Sequence, residues 1–346
     1  MITIREVARV AGVSVATASR ALNDSSLVTR DTRTRVREAA SRLDYSPHGA
    51  AQSLITSRTH TIGVLLPDLH GEFFSELIRG IDQTAQQGGF HCLVSSTRHR
   101  GPLLEAALRS MWGRVDGLVL MCPEFTREMS GRTLPGRFPV VLLNSPPSET
   151  DFDSLSVANY EGAYAMVRHL AGLGHRRIAM IRGANGNFDA AERLRGYRAA
   201  LRDAGLPEAP ELEVPGEFSE ESGHAAVHHL LRLPSRPTAI FAANDSMAIG
   251  ALSALRDAGL QVPADVALGG FDDIPMARYM TPALTSVRVD IAALGARAAT
   301  RLLETLVSPA GPAPLPHPCR ETLPTTLVVR RSSGAHSITT PRREAV

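Results

Sequence analysis

The 346-residue chain contains no lysine, and all 37 of its basic residues are arginine. Cysteine is also scarce. Cys92, Cys122 and Cys319 lie far apart with no CxxC pair, which argues against a disulfide framework or a zinc knuckle and fits a reducing compartment, so a cytoplasmic location is expected. No run of about 18 apolar residues occurs, so a membrane-spanning helix is not expected. The first residues, Met1 to Arg5, pass directly into a charged amphipathic pattern, so no export leader is expected either. Aromatic residues make up only 5% of the chain, yet 43% is hydrophobic and 21% charged, a mixture too apolar for a disordered protein and long enough for two or three packed units.

Enzyme signatures are missing as well. No G-x-G-x-x-G follows a strand, and the stretch Gly12 to Ala16 fails the G-x-S-x-G elbow at its last position, leaving Ser14 better explained as a helix cap. His224 and His228 stand at i, i+4, a spacing that can hold a metal, but no third ligand lies near them in sequence. His91 beside Cys92 is no better supplied. No catalytic activity, cofactor or metal is therefore expected.

What is present begins with a charge asymmetry. The overall charge of +2 hides a head, residues 1 to 60, in which nine arginines face five acids. The rest of the chain is then mildly acidic, so a polyanionic partner for the head alone is expected. Thr3-Ile4-Arg5-Glu6 has the form of a capping box, and Ile4, Val7, Ala8 and Ala11 follow with helical spacing. Gly12 ends that helix. Ser14 can cap a second one running to about Leu22, and a third, about Thr32 to Leu43, repeats the spacing with Val36, Ala39, Ala40 and Leu43. Two short helices joined by a tight glycine turn make a helix-turn-helix. On the second helix Ala18, Ala21 and Leu22 share one side, while Ala16 and Arg20 fall on the other, where a guanidinium can reach the paired acceptors of guanine. Farther on, Pro47 and Gly49 interrupt helix formation, and Ala50 to Leu54 is too short to be helical alone in water.

The run Val7 to Arg20, VARVAGVSVATASR, resembles the DNA-binding head of the LacI/GalR family of bacterial transcriptional regulators. Tyr45-Ser46-Pro47 followed by Ala50 to Leu54 resembles that family's hinge helix. The resemblance implies that Val15, Ala16 and Arg20 read the major groove, and that Leu54 wedges into the minor groove at a central CpG step. Thr3, Ser14, Thr17, Ser19, Asn23 and Ala51 complete the implied DNA-facing set. Ala18 departs from the family's valine and faces the core, where it should cost packing rather than recognition.

From Ile62 onward, short apolar runs alternate with amphipathic stretches: Ile62 to Leu66, Cys92 to Val94, Leu118 to Cys122, Val140 to Leu143, Ile178 to Ile181, Ala239 to Ala242 and Val266 to Leu268. This βαβ rhythm predicts an α/β body with parallel sheets, too large for one small doubly wound sheet and hence two-lobed. Leu201 to Leu206 and Leu255 to Leu260 share the sequence LRDAGL, each ending a helix at glycine. Ligands in such sheets sit beyond the carboxyl ends of the strands. The residues found there are Asp68, Ser95-Ser96, Asn144, Arg182-Gly183, Asn244-Asp245 and Asp272-Asp273. With Phe73, Phe74 and Phe218 near in sequence, this mixture suits a polyhydroxylated ring.

The resemblance continues to about residue 331, through Ala158–Ala163, Gly174–Ile178, Arg193–Tyr197, Asn244–Ala248 and Gly270–Asp273, and implies a periplasmic-binding-protein-like effector domain. Ala158 stands where the family has aspartate. The effector contacts implied by position are Asp68, Phe73, Asn187, Asp189, Arg193, Phe218, Asn244 and Asp272. Gly216-Glu217-Phe218 resembles purine-binding members, but Asn187 and Asp189 are poor readers of a purine edge, so a sugar or sugar derivative is favoured. Each contact also has a plainer reading: Asp272 pairing with an arginine, Phe218 in the core, Arg193 fastening a helix.

The expected organisation is a helix-turn-helix domain over 1–46, a hinge helix and linker over 47–60, an effector-binding and dimerisation domain over 61–331, and a disordered tail over 332–346 without leucine heptads. The expected function is a regulator, by resemblance a repressor, that binds a pseudo-palindromic operator as a homodimer under control of the effector. One head reads only a few base pairs, so useful affinity needs two half-sites. The alternatives are an exported sugar-binding protein, which the helix-turn-helix disfavours, and a doubly wound enzyme.

Overall fold

The computed structural model of the chain describes residues 2–23, 27–45, 58–97, 101–122, 125, 133–134, 138–145, 152–307 and 318–334. The chain divides into two compact units, Met1–Thr59 and His60–Val346.

In the first unit, helices α1 (Ile4–Ala11), α2 (Val15–Leu22) and α3 (Arg30–Arg42) pack mutually. The Glu6 carboxylate accepts from the Thr3 backbone N–H at 2.7 Å and from its hydroxyl at 3.2 Å, fixing the start of α1. Gly12 closes α1 in the left-handed region at φ 64°, and Ser14 Oγ accepts from Thr17 N–H at 3.1 Å to open α2. The core is built largely from small side chains: Val7, Ala8, Ala11, Ala18, Ala21, Val36, Ala39 and Ala40 are buried. Alanine lets three short helices approach closely enough to bury one another's faces.

The second unit holds two six-stranded sheets built on one plan. The first has the order β2 (His91–Ser96), β1 (Thr61–Leu66), β3 (Gly117–Leu120), β4 (Val140–Leu143), β5 (Asp153–Val157), β11 (Arg320–Leu323), all parallel. Leu65 stands between Ser95 and Leu120 in this register. The second has the order β7 (Glu213–Val214), β6 (Ile178–Ile181), β8 (Ala239–Ala242), β9 (Ala267–Asp272), β10 (Thr285–Arg288), β12 (Thr326–Val328), parallel except for the last strand. The inner strands are continuous apolar runs because helices cover both faces. Those helices are α4 (Glu72–Gln87), α5 (Gly101–Met111) and α10 (Ile291–Val307) on the first sheet. The second sheet carries α6 (Asn159–Gly172), α7 (Phe188–Asp203), α8 (Glu220–Leu231) and α9 (Asp245–Asp257).

The seven apolar runs read from the sequence fall on β1, β2, β3, β4, β6, β8 and β9, with ends shifted by a few residues. The LRDAGL repeat ends α7 and α9, with Gly205 at φ 64° and Gly259 at φ 73°, positions where a side chain would be strained. The chain passes between the lobes after β5, after β10 and after β11. Two of these crossings are tied together, because Ala158 N–H donates to Leu323 O at 2.9 Å and Thr325 Oγ1 donates to Ala158 O at 3.2 Å.

The boundary expected at Arg331, with a disordered tail from 332, is corrected. Arg331–Ser333 forms a 3-10 turn in which Ser332 is 1% and Ser333 0% exposed. Ser332 Oγ accepts from Thr285 N–H at 2.8 Å and donates to Leu268 O at 2.6 Å, and Ser333 Oγ lies 2.9 Å from Thr285 Oγ1 and 3.0 Å from His169 Nε2. These polar residues are buried because every hydroxyl finds a partner. The body therefore extends at least through Gly334, and residues 335–346 lie outside the described residues.

Among the described residues no helix is long and apolar enough to cross a membrane, and no group of three or more His, Cys, Asp or Glu side chains is placed to hold a metal. His224 instead pairs with Asp257 at 3.3 Å and packs edge-on against His228.

Candidate functional site

Two surfaces carry chemistry, one in each unit. In the first, α2 buries Ala18 and Ala21 and turns its other side outward. Val15, Ala16 and Arg20 are exposed, and Arg20 has no hydrogen bond or ion pair among the described residues, while Thr17 and Ser19 are half-buried beside them. Ser14 is committed to the cap, its hydroxyl 2.9 Å from that of Thr17, and the Thr3 hydroxyl is held by Glu6. Asn23 ends α2 through its backbone N–H, which donates to Ser19 O at 3.1 Å. Ala51 and Leu54 lie outside the described residues.

In the second unit, a cavity of about 160 Å³ opens between the lobes at the carboxyl ends of the strands. Its lining includes all eight positions expected as effector contacts: Asp68, Phe73, Asn187, Asp189, Arg193, Phe218, Asn244 and Asp272. It also includes Asn144, which the strand-end rule indicates but the resemblance leaves out of the contacts, and His70, Glu217 and Glu220, which sequence reasoning missed. Ser95, Ser96, Arg182, Asp245 and Asp273, also at strand ends, do not line it.

The floor is a buried polar chain. Asp189 and Arg193 stand one turn apart on α7 and share a face. The Asn159 amide joins them: its Nδ2 donates to Asp189 Oδ1 at 2.8 Å and its Oδ1 accepts from Arg193 Nε at 2.8 Å. Arg193 also donates to Ala243 O, lies 3.4 Å from Asp272 Oδ1, and stacks 3.8 Å above the Phe271 ring. The guanidinium is thus paired along its nitrogen edge and stacked on one face, which allows the charge to be buried. Burial pushes the Asp272 carboxyl up to about 7, against the opposing pull of Arg193. Burial likewise raises Asp189 to about 6, with Arg193, Asn159 and Asn144 pulling the other way. Beneath them Asp245 accepts from Ser286 Oγ at 2.6 Å and Ile274 N–H at 2.9 Å, holding the loop that follows β9, and burial raises its pKa well above the usual range.

The walls are aromatic. Phe73 and Phe74 meet edge to face at 5.4 Å on the first turn of α4, and Phe218 comes from the opposite lobe. The Phe218 ring lies directly over Gly183, where a Cβ would stand 2.1 Å from its Cζ. Asn244 donates to Phe218 O at 3.0 Å and accepts from Met247 N–H at 3.0 Å, so one amide fixes the aromatic loop and caps α9. Asn187 caps α7 through Ala190 N–H at 2.9 Å, and Asp68 Oδ1 accepts from Leu69 and His70 N–H at 2.6 and 3.2 Å. Three lining residues other than glycine have positive φ: Asn144 at 52°, Phe218 at 62° and Asp272 at 105°. Such strain gathers at functional sites, where surrounding structure holds it.

Comparison with known proteins gives a consistent picture. Residues 3–48 match the bacterial regulatory proteins of the lacI family, and residues 167–333 match the periplasmic binding protein-like domain. The chain is 37% identical over 313 residues to the ribose operon repressor of Escherichia coli strain K12, covering 89% of this chain and 94% of that one. It is 36% identical over 312 residues to the HTH-type transcriptional repressor PurR of Pectobacterium atrosepticum, covering 89% and 91%. Among solved structures, the lac repressor dimer bound to operator and the anti-inducer ONPF is similar with a TM-score of 0.83 at 29% identity, covering 96% of this chain and 99% of that one. A LacI-family transcriptional regulator from Enterococcus faecium with bound ribose has a TM-score of 0.71 at 29% identity, covering 79% and 98%.

Proposed function

We propose, from the premise that this chain belongs to the lacI family of bacterial regulatory proteins, that it is a cytoplasmic, non-enzymatic transcriptional repressor. It binds a pseudo-palindromic operator as a homodimer through Val15, Ala16 and Arg20 of α2, and a small polyhydroxylated effector occupies the interlobe cleft. The observation that carries this reading is the pairing, on one chain, of an exposed Arg20 on an outward helix face with a cavity that gathers Phe73, Phe218, Arg193, Asp272 and their neighbours.

A guanidinium on an exposed helix face of a basic head is equipped to donate twice to a guanine edge. In the cleft, facing aromatics cover the C–H faces of a ring while carboxylates and amides meet its hydroxyls. Relatives and neighbours support the ligand class: one relative is a ribose operon repressor, and one similar structure holds ribose. Coupling requires that the effector bind the DNA-competent and DNA-incompetent arrangements unequally, commonly by about 1–3 kcal/mol.

The test is selection of bound sequences from a random duplex library by the full chain, at stated salt, followed by titration of the enriched duplex with and without effector. A symmetric site with a central CG, lost or weakened by about 1–3 kcal/mol in Arg20→Ala, is the expected result. An asymmetric site, or a symmetric one indifferent to Arg20, overturns the assignment of α2. Binding of a purine base in preference to every sugar overturns the effector class.

A further inference from the structure

Asn159 is buried beside the effector cavity without lining it, at 2% exposure. Its amide bonds at 2.8 Å to both Asp189 and Arg193, which do line it. An amide can give a hydrogen to the carboxylate and take one from the guanidinium at the same time. Asp189 in turn reaches the other lobe, where Asn144 hydrogen-bonds to it, and Arg193 reaches Ala243 O and Asp272 at the ends of β8 and β9.

Along the chain Asn159 is the first residue of α6, directly after Ala158. Ala158 is where the chain enters the second lobe after β5, and both its backbone groups are held by the crossing that follows β11. Its N–H donates to Leu323 O at 2.9 Å, and its O accepts from Thr325 Oγ1 at 3.2 Å. Two of the three interlobe crossings therefore meet one residue away from the amide that joins Asp189 to Arg193.

Holding α6 against α7 does not require this amide. The helices approach so closely that a Cβ on Gly196 would stand 2.3 Å from Tyr160 O. Farther along, Tyr164 Oη donates to Asp203 Oδ2 at 2.8 Å and Arg168 donates to Asp203 O at 3.3 Å. What Asn159 adds is a hydrogen-bonded connection from the crossings to the cavity floor. Because a buried amide is costly with either end unpaired, it must follow its partners when they move. An apolar contact runs alongside: the Phe271 ring lies 3.8 Å from the Arg193 guanidinium and close to Gly162, where a Cβ would stand 2.9 Å from Cε2.

We propose, on the reading above that the cleft holds the effector, that Asn159 is the positioning residue through which the interlobe crossings set the placement of Asp189 and Arg193. A change of lobe angle reaches the effector contacts through this amide, and an effector that moves either contact pulls on the crossings in return.

The test is hydrogen exchange, read by mass spectrometry on the full chain without effector, so its failure is distinct from failure of the effector reading. Thr325→Val loosens the crossing at Ala158 without touching the floor. In the otherwise native chain it should speed exchange about fivefold in peptides spanning 188–193, the first turns of α7. In Asn159→Ala those peptides should already exchange faster, and Thr325→Val should add nothing to them. No change at 188–193 in Thr325→Val overturns the proposal, whatever happens at the crossing itself. An equal effect with and without Asn159 overturns it too, and assigns the connection to Phe271.

A second variant separates the donated hydrogen from mere packing, and with Thr325→Val alone it decides the matter if Asn159→Ala fails to fold. In Asn159→Asp the introduced carboxyl can accept from Arg193 but can donate to Asp189 only while protonated. The other charged groups facing Asp189 are Arg193 and Glu192 of its own helix and Asp272 at the end of β9. Protection of 188–193, taken relative to the native chain at the same pH, should be lost at about pH 8 and regained at about pH 5, where the two facing carboxyls share a proton. Protection that does not differ between the two pH values overturns the assignment.

Discussion

The Glu72 carboxylate, at the start of α4 in one lobe, accepts a hydrogen bond from the Met276 backbone N–H of the other lobe at 2.7 Å. Met276 sits in the 3-10 turn Pro275–Arg278, which follows closely on the end of β9, where Asp272 stands. A single carboxylate thus spans the cleft beside the cavity and steadies the chain that holds one of its buried acids.

Glu72→Ala removes that latch, which should cost closure about 1 kcal/mol, since the contact is partly exposed. Small-angle scattering of the ligand-free chain should show a larger radius of gyration, and effector affinity should fall about fivefold. Unchanged scattering together with unchanged affinity would show that the bond does not bias closure.

The raised carboxyls make stability depend on pH with a definite sign. Asp272 holds its proton up to about pH 7 in the folded chain, against an ordinary value of 3.8. Between those values the native state binds more protons than the unfolded one, so the contribution is fully present at low pH and disappears as pH rises through about 7. Asp189, raised to about 6, acts in the same direction. Relative to the native chain, Asp272→Asn should therefore flatten the loss of stability between about pH 4 and 7 without abolishing it. Urea midpoints measured at several pH values decide the point, and an identical slope in the variant would exclude Asp272 as a source.

Gly183→Ala should act through Phe218. The added methyl meets the ring at 2.1 Å, so either the ring or the strand end must move. Overpacking of this kind costs about 1–3 kcal/mol, and displacement of the aromatic wall should lower effector affinity about tenfold. In a Phe218→Ala background the same substitution should be nearly neutral for stability. Equal destabilisation in both backgrounds would locate the clash elsewhere.

Ending the chain after Arg331 removes Ser332 and leaves Thr285 N–H and Leu268 O without their partner, whereas ending it after Gly334 leaves both satisfied. The shorter chain should be less stable by at least about 2 kcal/mol, the longer one unaffected. Denaturant unfolding of the two truncations tests this, and equal stability would mean that the buried serines contribute nothing net.

What the sequence made legible follows from where information is local. The head could be read helix by helix because capping at Thr3 and Ser14, the glycine stop at Gly12 and the apolar spacing all act within one or two turns. The cleft residues were legible because a loop at the carboxyl end of a parallel strand has one place to go, as with Asp68 after β1 and Asn244 after β8. Strands β5, β10 and β12 were not flagged, because DSLSV, TSVR and TLV are short or polar and become strands by pairing with neighbours already formed. Asn159 escaped as a positioning residue because its partners, Asp189 and Arg193, lie 30 and 34 residues away. Glu72 escaped as a latch because only the placement of two lobes brings Met276 to it. The serines at 332 and 333 read as tail because polarity alone does not tell a solvated hydroxyl from one buried against its partner.

The order of strands in the two sheets also sets a timetable for synthesis. The first sheet awaits β11, and the second awaits β12 and the turn at Arg331–Ser333, all from the last part of the chain. The head, complete within Met1–Thr59, can fold while most of the body is still untranslated. A nascent chain is therefore able to display a finished α2 long before it owns a completed second unit. Loss of β11, β12 or the turn at Arg331–Ser333 would leave a head without a complete second unit, so control by the effector becomes possible only after those segments have been made.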